Sequence, residues 1–210
     1  MTKTKPFSIR EKAEFNQYWY SRKTIGSLVD ELLHLQQRLK PDWPLRVACL
    51  STPSVYFTLT AAPEISEKLE CWLLDFDPHL LRGERCVKFD YREPRDVPVV
   101  LCHTFDCVLI DPPFITKEVW ENYAITAKLL AASGGHFIGS SVRENGELLR
   151  RLLGMRSVPF QPFIPNLVYQ YEFFTNYPPE GPFRHVNSVG QNAVHRYRVA
   201  PTARIRMSNK

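Results

Sequence analysis

Apolar positions along the chain follow two different patterns. Between residues 25 and 39 they recur at three- and four-residue steps, which predicts an amphipathic helix that Ser21 or Thr24 caps and Pro41 ends. From Leu45 onward, short apolar runs alternate with helical stretches, as in a mostly parallel α/β sheet with helices on both faces. Strands are predicted at residues 45–50, 71–76, 86–89, 107–110, 136–140 and 169–176, and further helices at 54–62, 116–132 and 143–153.

The length of 210 residues fits one domain with a tail. We expect an N-terminal aromatic segment and capping helix at residues 1–40, the main α/β domain at 41–180, and a loop or disordered tail at 181–210, because the proline-rich stretch 178–182 ends the regular pattern. No apolar run approaches the ~18 residues of a membrane span, and the N-terminus leads into no signal-type segment. We therefore expect a cytosolic or nuclear protein that does not associate with a membrane, with the cytoplasm as the favoured location.

Charge is concentrated in the predicted tail. The whole chain has a net charge of +5, and residues 181–210 alone carry six Lys or Arg side chains and no Asp or Glu. Such a tail attracts RNA, ribosomes or acidic protein surfaces without specificity, although solvated chain ends are often basic for no functional reason. The five cysteines have no C-x-x-C spacing and mostly fall in apolar runs, so we expect reduced core thiols and no metal site.

The motif Asp111-Pro112-Pro113-Phe114 directly follows the predicted strand at residues 107–110. A carboxylate beside a main-chain carbonyl offers two acceptors for the protons of an attacking amine, and the prolines hold them in one orientation. Phe114 adds a flat wall that can stack on a base or lie beside a cation. The motif therefore predicts methyl transfer to nitrogen, with either an adenine or an ammonium as the acceptor.

The neighbouring strand ends supply candidate ligands for a methyl donor. Asp75 is expected to accept both hydroxyl protons of a ribose, with Asp77 as second candidate and Phe76 beside them against the adenine. Asp90 is expected to accept a hydrogen bond from the adenine amino group. No glycine loop follows the first strand, so Ser51 and Ser54 are expected to offer hydroxyls and main-chain amides to the amino-acid part of the donor.

Aromatic residues crowd the segment just before the first predicted helix. Tyr18, Trp19 and Tyr20 lie in a row there, and Ser21 follows them. Such rings most often pack on a core, but they can also cover a ligand. We expect these four residues either to pack against the sheet or to form a lid that contacts the substrate.

In these features the chain resembles the translation elongation factor one-alpha lysine methyltransferases, formerly labelled probable N6-adenine methyltransferases. The resemblance runs from about residue 16 to residue 177. It is carried by Gln17-Tyr18-Trp19-Tyr20-Ser21, Ala48-Cys49-Leu50-Ser51-Thr52-Pro53-Ser54-Val55-Tyr56, Asp75-Phe76-Asp77, Asp90-Tyr91, His103-Thr104-Phe105-Asp106, Asp111-Pro112-Pro113-Phe114, Asn166-Leu167 and Asn176-Tyr177.

The resemblance implies a class I, seven-stranded methyltransferase fold with S-adenosylmethionine as the cofactor. It implies that residues 41–180 form the methyltransferase domain and that a lysine of elongation factor one-alpha is the acceptor. The catalytic-loop positions are then Asp111 to Phe114. The donor positions are Ser51, Thr52, Pro53, Ser54, Asp75, Phe76, Asp77, Asp90 and Tyr91.

Two other functions remain open from the sequence. An adenine methyltransferase acting on ribosomal RNA or other nucleic acid would use the same loop, but it would need stacking rings and a basic channel. A lysine acceptor instead needs an acidic or neutral slot in which the ammonium loses its proton. RNA-acting relatives add zinc-knuckle modules, which no cysteine spacing here permits. A non-catalytic scaffold would have no physical need for the intact carboxylates.

Overall fold

The computed structural model describes residues 11–165 and 167–187. Residues 1–10, Asn166 and residues 188–210, which include most of the predicted basic tail, lie outside this description. The α-helices are α1 (Arg22–Leu39), α2 (Pro53–Ala61), α3 (Pro63–Ser66), α4 (Lys117–Leu130) and α5 (Gly146–Leu153). Four 3-10 turns lie at Ala13–Phe15, Val99–Leu101, Arg143–Asn145 and Pro182–Arg184.

A single seven-stranded sheet forms the centre of the described chain. Its strands are β1 (Leu45–Leu50), β2 (Leu69–Asp75), β3 (Cys86–Lys88), β4 (Phe105–Ile110), β5 (Ala131–Ser141), β6 (Arg156–Ser157) and β7 (Glu172–Thr175). The spatial order is β3-β2-β1-β4-β5-β7-β6. The first five strands in this order pair in parallel, and β7 runs antiparallel to both of its neighbours, β5 and β6. The order reverses between β1 and β4, which is where open α/β sheets form a ligand crevice.

The sheet is buried on both faces, so its central strands are almost continuously apolar. Along β1, Val47 and Cys49 pack in the cluster that includes α1 and α2, whereas Ala48 and Leu50 pack in the cluster that includes α4 and α5. The predicted helices on both faces are therefore confirmed.

Most predicted elements are present with shifted ends. The α1 boundary follows from its cap, because Ser21 Oγ accepts a hydrogen bond from the Thr24 amide at 3.2 Å. The helix predicted at residues 143–153 is a 3-10 turn followed by α5, and the strand predicted at residues 169–176 is reduced to β7. The four-residue α3 and the two-residue β6 were not predicted, since so short a segment has no measurable period.

The packed part of the chain extends past the predicted tail boundary at residue 181. Phe183 is fully buried and stacks on Phe173 with ring centroids 4.6 Å apart. Its turn is held by Glu31, whose carboxylate accepts hydrogen bonds from the Phe183 amide and the Tyr177 hydroxyl. Phe183 is therefore part of the core, while Arg184 beside it is exposed.

Within the described ranges, no helix is long and apolar enough to cross a membrane. The same residues contain no group of three or more His, Cys, Asp or Glu side chains arranged to hold a metal ion.

Candidate active site

The carboxyl ends of β1, β2, β3 and β4 meet at one edge of the sheet, beside a cavity of about 380 Å³. Each of these strands places a polar residue at its end: Ser51, Asp75, Asp90 and Asp111. Pockets of a few hundred cubic ångströms are the usual size for small-molecule and cofactor sites. The cavity therefore lies where parallel-sheet proteins bind their ligands.

The loop after β1 makes a sharp turn without glycine. Ser51 has a φ of 56°, in the left-handed region that glycine usually occupies, and its hydroxyl lies 2.7 Å from that of Tyr123. The turn leads into α2, whose first residue is Pro53. Thr52 Oγ1 is buried in the cavity wall without a hydrogen-bond partner, and Ser54 is buried beside it. An unpaired buried hydroxyl is costly, so Thr52 is suited to meeting a polar ligand atom.

Two carboxylates at the end of β2 have different environments. Asp75 is 7% exposed, and burial, with the neighbouring Asp77 charge, raises its pKa to about 6. Burial alone would raise the pKa of Asp77 as well, but hydrogen bonds from Lys12, His79 and Gln17 outweigh it and lower the pKa to about 2. Asp77 is therefore a fixed anion already paired within the protein, and Asp75 is the carboxylate better placed to bind a ligand.

Two partners of Asp77, Lys12 and Gln17, belong to an N-terminal stretch that we name the cover segment, residues 11–19. Lys12 Nζ lies 2.9 Å from Asp77 Oδ2, and the ring of Phe15 packs edge-on against Phe76 at 5.9 Å. Further along, the Asn16 side chain donates a hydrogen bond to the carbonyl of Pro113. The cover segment therefore connects the end of β2 to the loop after β4, across the cavity.

Aromatic rings line the cavity near β3. Phe89 packs edge-on against Tyr123 at 5.5 Å, and Tyr91 stacks on Tyr123 at 6.1 Å. Asp90 also lines the cavity, but its carboxylate is held by two guanidinium nitrogens of Arg92, which lower its pKa. An adenine amino group would have to share the Asp90 carboxylate with Arg92, and the predicted adenine contact stays a prediction.

Asp111 lies at the base of the cavity, with Pro112, Pro113 and the half-exposed Phe114 beside it. Burial raises the pKa of Asp111 to about 7, although the hydrogen bond from Ser140, with the Tyr20 hydroxyl behind it, acts in the opposite direction. Ser140 Oγ donates to Asp111 Oδ1 at 2.6 Å, and the Tyr20 hydroxyl donates to Ser140 Oγ at 2.8 Å. A carboxylate whose pKa lies near neutrality is suited to exchanging a proton with an amine.

The structure separates the four residues predicted as a lid. Tyr18 and Trp19 line the cavity, whereas Tyr20 is 6% exposed beneath it and Ser21 caps α1. Tyr20 therefore supports the cavity floor and Ser21 a helix end, and neither is placed to act as a lid.

All the predicted catalytic-loop and donor residues line the same cavity: Ser51, Thr52, Pro53, Ser54, Asp75, Phe76, Asp77, Asp90, Tyr91, Asp111, Pro112, Pro113 and Phe114. Sequence reasoning did not assign a role to Asn16, Arg92, Tyr123 or Ser140. For Asn16 the sequence offered one indication, its position next to the aromatic residues at 18–20. A lone serine or tyrosine in an apolar element, such as Ser140 or Tyr123, gives no indication of a functional role.

The residues present fit an adenosyl donor. The unpaired Thr52 hydroxyl, the buried Asp75 carboxylate and the aromatic wall around Tyr123 match its amino-acid, ribose and adenine parts. Together with the strand order and the antiparallel β7, they define a class I, S-adenosylmethionine-dependent methyltransferase. A family model described as probable N6-adenine methyltransferase matches residues 11–179. The chain belongs to that family.

Relatives with assigned activities agree with this class. A protein of Danio rerio named EEF1A lysine methyltransferase 1 is 32% identical over 166 residues, covering 77% of this chain and 96% of the relative. The Homo sapiens protein of the same name is 28% identical over 172 residues, covering 80% of this chain and 76% of the relative. Among solved structures, the branched-chain polyamine synthase of Thermus thermophilus has the same fold, with 14% identity and a TM-score of 0.56 over 85% of this chain and 62% of the synthase.

Proposed function

We propose that this enzyme transfers a methyl group from S-adenosylmethionine to the ε-amino group of a lysine in translation elongation factor one-alpha. Relatives that match about four fifths of the chain are named for lysine methylation of EEF1A. Two features of the cavity support the same class of acceptor, and the first of them carries the proposal.

The carrying observation is the charge of the cavity lining. Five carboxyl side chains line it and Arg92 is the one cation among the described lining residues; the carboxyls belong to Glu14, Asp75, Asp77, Asp90 and Asp111. Asp90 is paired with Arg92 and Asp77 with Lys12, and the remaining carboxyls are those of Glu14, Asp75 and Asp111. A sulfonium donor and a lysine ammonium are both cations, so these remaining carboxyls favour both reactants electrostatically. A phosphodiester chain would be repelled.

Asp111 provides the proton chemistry. When bound, S-adenosylmethionine supplies an electrophilic methyl group on a sulfonium sulfur. The lysine must be neutral to attack, and its pKa in water is about 10.4. The Asp111 carboxylate, with a pKa of about 7, accepts hydrogen bonds from the ammonium and, in a low-dielectric cavity, can take its proton. Pro112 and Pro113 restrict the motion of the loop, and the exposed ring of Phe114 offers a face to the cationic side chain.

The second supporting feature is the rim of the cavity. Residues 158–171, which connect β6 to β7, contain no charged residue. Ile164, Leu167 and Tyr171 from this loop line the cavity, while Phe163 and Tyr169 are 46% and 66% exposed. Apolar and aromatic side chains without Lys or Arg suit contact with a protein surface better than contact with phosphates.

The alternative acceptor is an adenine amino group in RNA. The exposed Phe114 ring could stack on a base, and the Asp111 loop would accept protons from either nitrogen. The acidic lining argues against it, because a nucleotide would bring its phosphates to the mouth of a cavity lined with carboxylates.

The test uses labelled S-adenosylmethionine with unmethylated elongation factor one-alpha and total RNA as competing acceptors. We expect the label in the factor, recovered as methyl-lysine after hydrolysis, and lost with Asp111→Ala. With a lysine acceptor the rate should keep rising above the pKa of Asp111 as the ammonium loses its proton, whereas an adenine amine has no proton to lose and its rate should level off once Asp111 is ionised. Label recovered as methyladenine, with a rate that levels off in this way, would contradict the proposal.

We further propose that the enzyme acts in the cytoplasm, where this factor functions, and that the basic tail makes weak contact with RNA or ribosomes. Five of the six tail cations lie at residues 188–210, outside the described residues. Arg184 is the sixth and follows the buried Phe183. Binding of RNA to the full chain and to a chain ending at residue 187, compared at low and physiological salt, tests this contact.

A further inference from the structure

Two hydroxyls support the Asp111 carboxylate from beneath the cavity. Ser140 is 1% exposed and Tyr20 is 6% exposed, and neither lines the cavity. They form a chain in which Tyr20 donates to Ser140 at 2.8 Å and Ser140 donates to Asp111 Oδ1 at 2.6 Å. Because they lie below the surface that a substrate meets, they act on Asp111 rather than on the substrate.

The direction of this hydrogen-bond chain is set by the number of protons available. A serine hydroxyl has one proton, and Ser140 uses it toward Asp111 while it accepts the proton of Tyr20. Burial and the Asp111 charge raise the pKa of Tyr20 well above its ordinary value, so the phenol keeps its proton as a donor. Both hydroxyl protons therefore point toward the carboxylate, and each strengthens the other by polarisation.

Both supports are fixed by the sheet. Ser140 lies in β5, opposite Phe173 of β7. The Tyr20 ring packs on the same Phe173 with centroids 5.7 Å apart, and the next residue, Ser21, donates its amide to the carbonyl of Phe163 at 2.8 Å. The chain of hydroxyls therefore connects the loop after β4 to rigid elements on its other side.

We propose that Ser140 and Tyr20 are positioning residues that hold the Asp111 carboxylate in the orientation and charge state that methyl transfer requires. Ser140 binds one carboxylate oxygen, so the group cannot rotate and the other oxygen keeps a constant position relative to the acceptor. The donated hydrogen bonds also favour the ionised carboxylate against the cost of burial. The role concerns Asp111 whichever nitrogen accepts the methyl group, so it can fail or hold independently of the proposed acceptor.

The ionisable groups around Asp111 do not titrate near neutral pH, so its own titration can be measured without interference. The ionisable groups that interact with it are Tyr20, Tyr123 of α4 and Tyr171 of the loop before β7. Burial raises the pKa of all three phenols, so they stay neutral near pH 7. A titration near neutrality at this position therefore belongs to Asp111.

The test measures the Asp111 pKa directly, from the carboxyl ¹³C chemical shift in the protein without donor or acceptor, with Asp111→Asn to assign the signal. Ser140→Ala removes the direct donor and should raise the Asp111 pKa by about one to two pH units, since a hydrogen bond to a charged group is lost. Tyr20→Phe removes only the phenolic oxygen and should raise it by less.

Two matched controls distinguish this role from general destabilisation. Ser141→Ala changes the neighbouring serine of β5, whose hydroxyl accepts from Trp120 and Asn145 instead. Tyr177→Phe removes another buried phenolic oxygen, the one that binds Glu31. Both should cost stability and leave the Asp111 pKa unchanged.

Kinetics provide the second readout. In Ser140→Ala the rising limb of the kcat/KM profile for the acceptor should move to higher pH with the Asp111 pKa of the free protein, and kcat at pH 7 should fall about tenfold or more, with little change in the KM for the donor. An unmoved Asp111 pKa in folded Ser140→Ala, or an equal shift in Ser141→Ala, would overturn the proposal. If Ser140→Ala does not fold, the comparison of Tyr20→Phe with Tyr177→Phe decides: equal pKa values in those two variants would overturn it.

Discussion

Replacing Asp111 by Asn should make the protein more stable at alkaline pH while removing its activity. The amide keeps an acceptor for the Ser140 hydroxyl but cannot ionise, so it is spared the cost of a buried charge. That cost can be read from the raised pKa of Asp111. The variant therefore separates what the carboxylate does for catalysis from what it costs the fold.

The magnitude follows from the shift of this pKa from its ordinary 3.8 to about 7. At 1.36 kcal/mol per pH unit, full ionisation in the folded state costs about 4 kcal/mol. Asp111 keeps part of its surface exposed, so screening by water reduces this value, and we expect about 2 to 3 kcal/mol between pH 4.5 and pH 8. Because the folded-state pKa lies above the unfolded-state pKa, the wild type loses this stability as pH rises from about 4 to about 7.

Urea unfolding of both proteins at pH 4.5 and pH 8 measures the effect, and other titrating groups such as Asp75 cancel in the comparison. Asp77→Asn is the control, because the pKa of Asp77 is about 2 and its carboxylate is charged at both pH values. That variant should be less stable than the wild type at both pH values, through loss of its contacts with Lys12, Gln17 and His79, and should show no advantage at either. If the advantage of Asp111→Asn does not grow between the two pH values, burial does not set the Asp111 pKa and the reasoning fails.

Three further predictions concern the donor and the tail. Asp75→Ala should weaken S-adenosylmethionine binding tenfold or more by calorimetry, because charge-assisted hydrogen bonds to a ribose are lost; unchanged affinity in a folded variant would remove Asp75 from the site. Thr52→Val removes a buried, unpaired hydroxyl, so it should raise the melting temperature of the donor-free protein and weaken donor binding about tenfold; affinity equal to wild type would show that Thr52 does not touch the donor. Deleting residues 188–210, which spares the buried Phe183, should leave activity on the protein acceptor within a few-fold at physiological salt, and a large loss would mean that the tail binds that acceptor.

The sequence was sufficient to predict the parallel part of the sheet and the edge at which the candidate site lies. Near-continuous apolar runs mark β1, β2 and β4, because strands buried on both faces have few polar positions. The polar residue after each run then lies at a shared edge, which is why Asp75 and Asp111 were placed correctly relative to each other. In the structure both strands pair in parallel with β1, and Leu50 of β1 is opposite both Leu74 and Ile110, the residues just before Asp75 and Asp111.

The supporting residues could not be predicted, because they become neighbours only in the folded chain. Ser140 is one of two adjacent serines in β5, and a shift of one residue would have aimed Ser141 at Asp111 instead. Tyr20 lies 120 positions from its partner, and nothing local distinguishes its hydroxyl from that of Tyr18. Arg92 takes the carboxylate of Asp90, and this pairing was missed because a nearby charge in the sequence does not reveal which way it points.

The free-energy cost of ionising a buried carboxyl group affects both the stability of this protein and its function. Asp75 and Asp111 have raised pKa values because burial costs the charged form more than the available hydrogen bonds return. A bound cation reverses that balance, since it favours the same charges that the empty cavity penalises. Under the proposed function, the Asp111 carboxylate therefore weakens the fold when the cavity is empty and favours positively charged reactants when it is full. An uncharged side chain at position 111 would remove the destabilisation, but it would also remove the attraction for a cationic reactant.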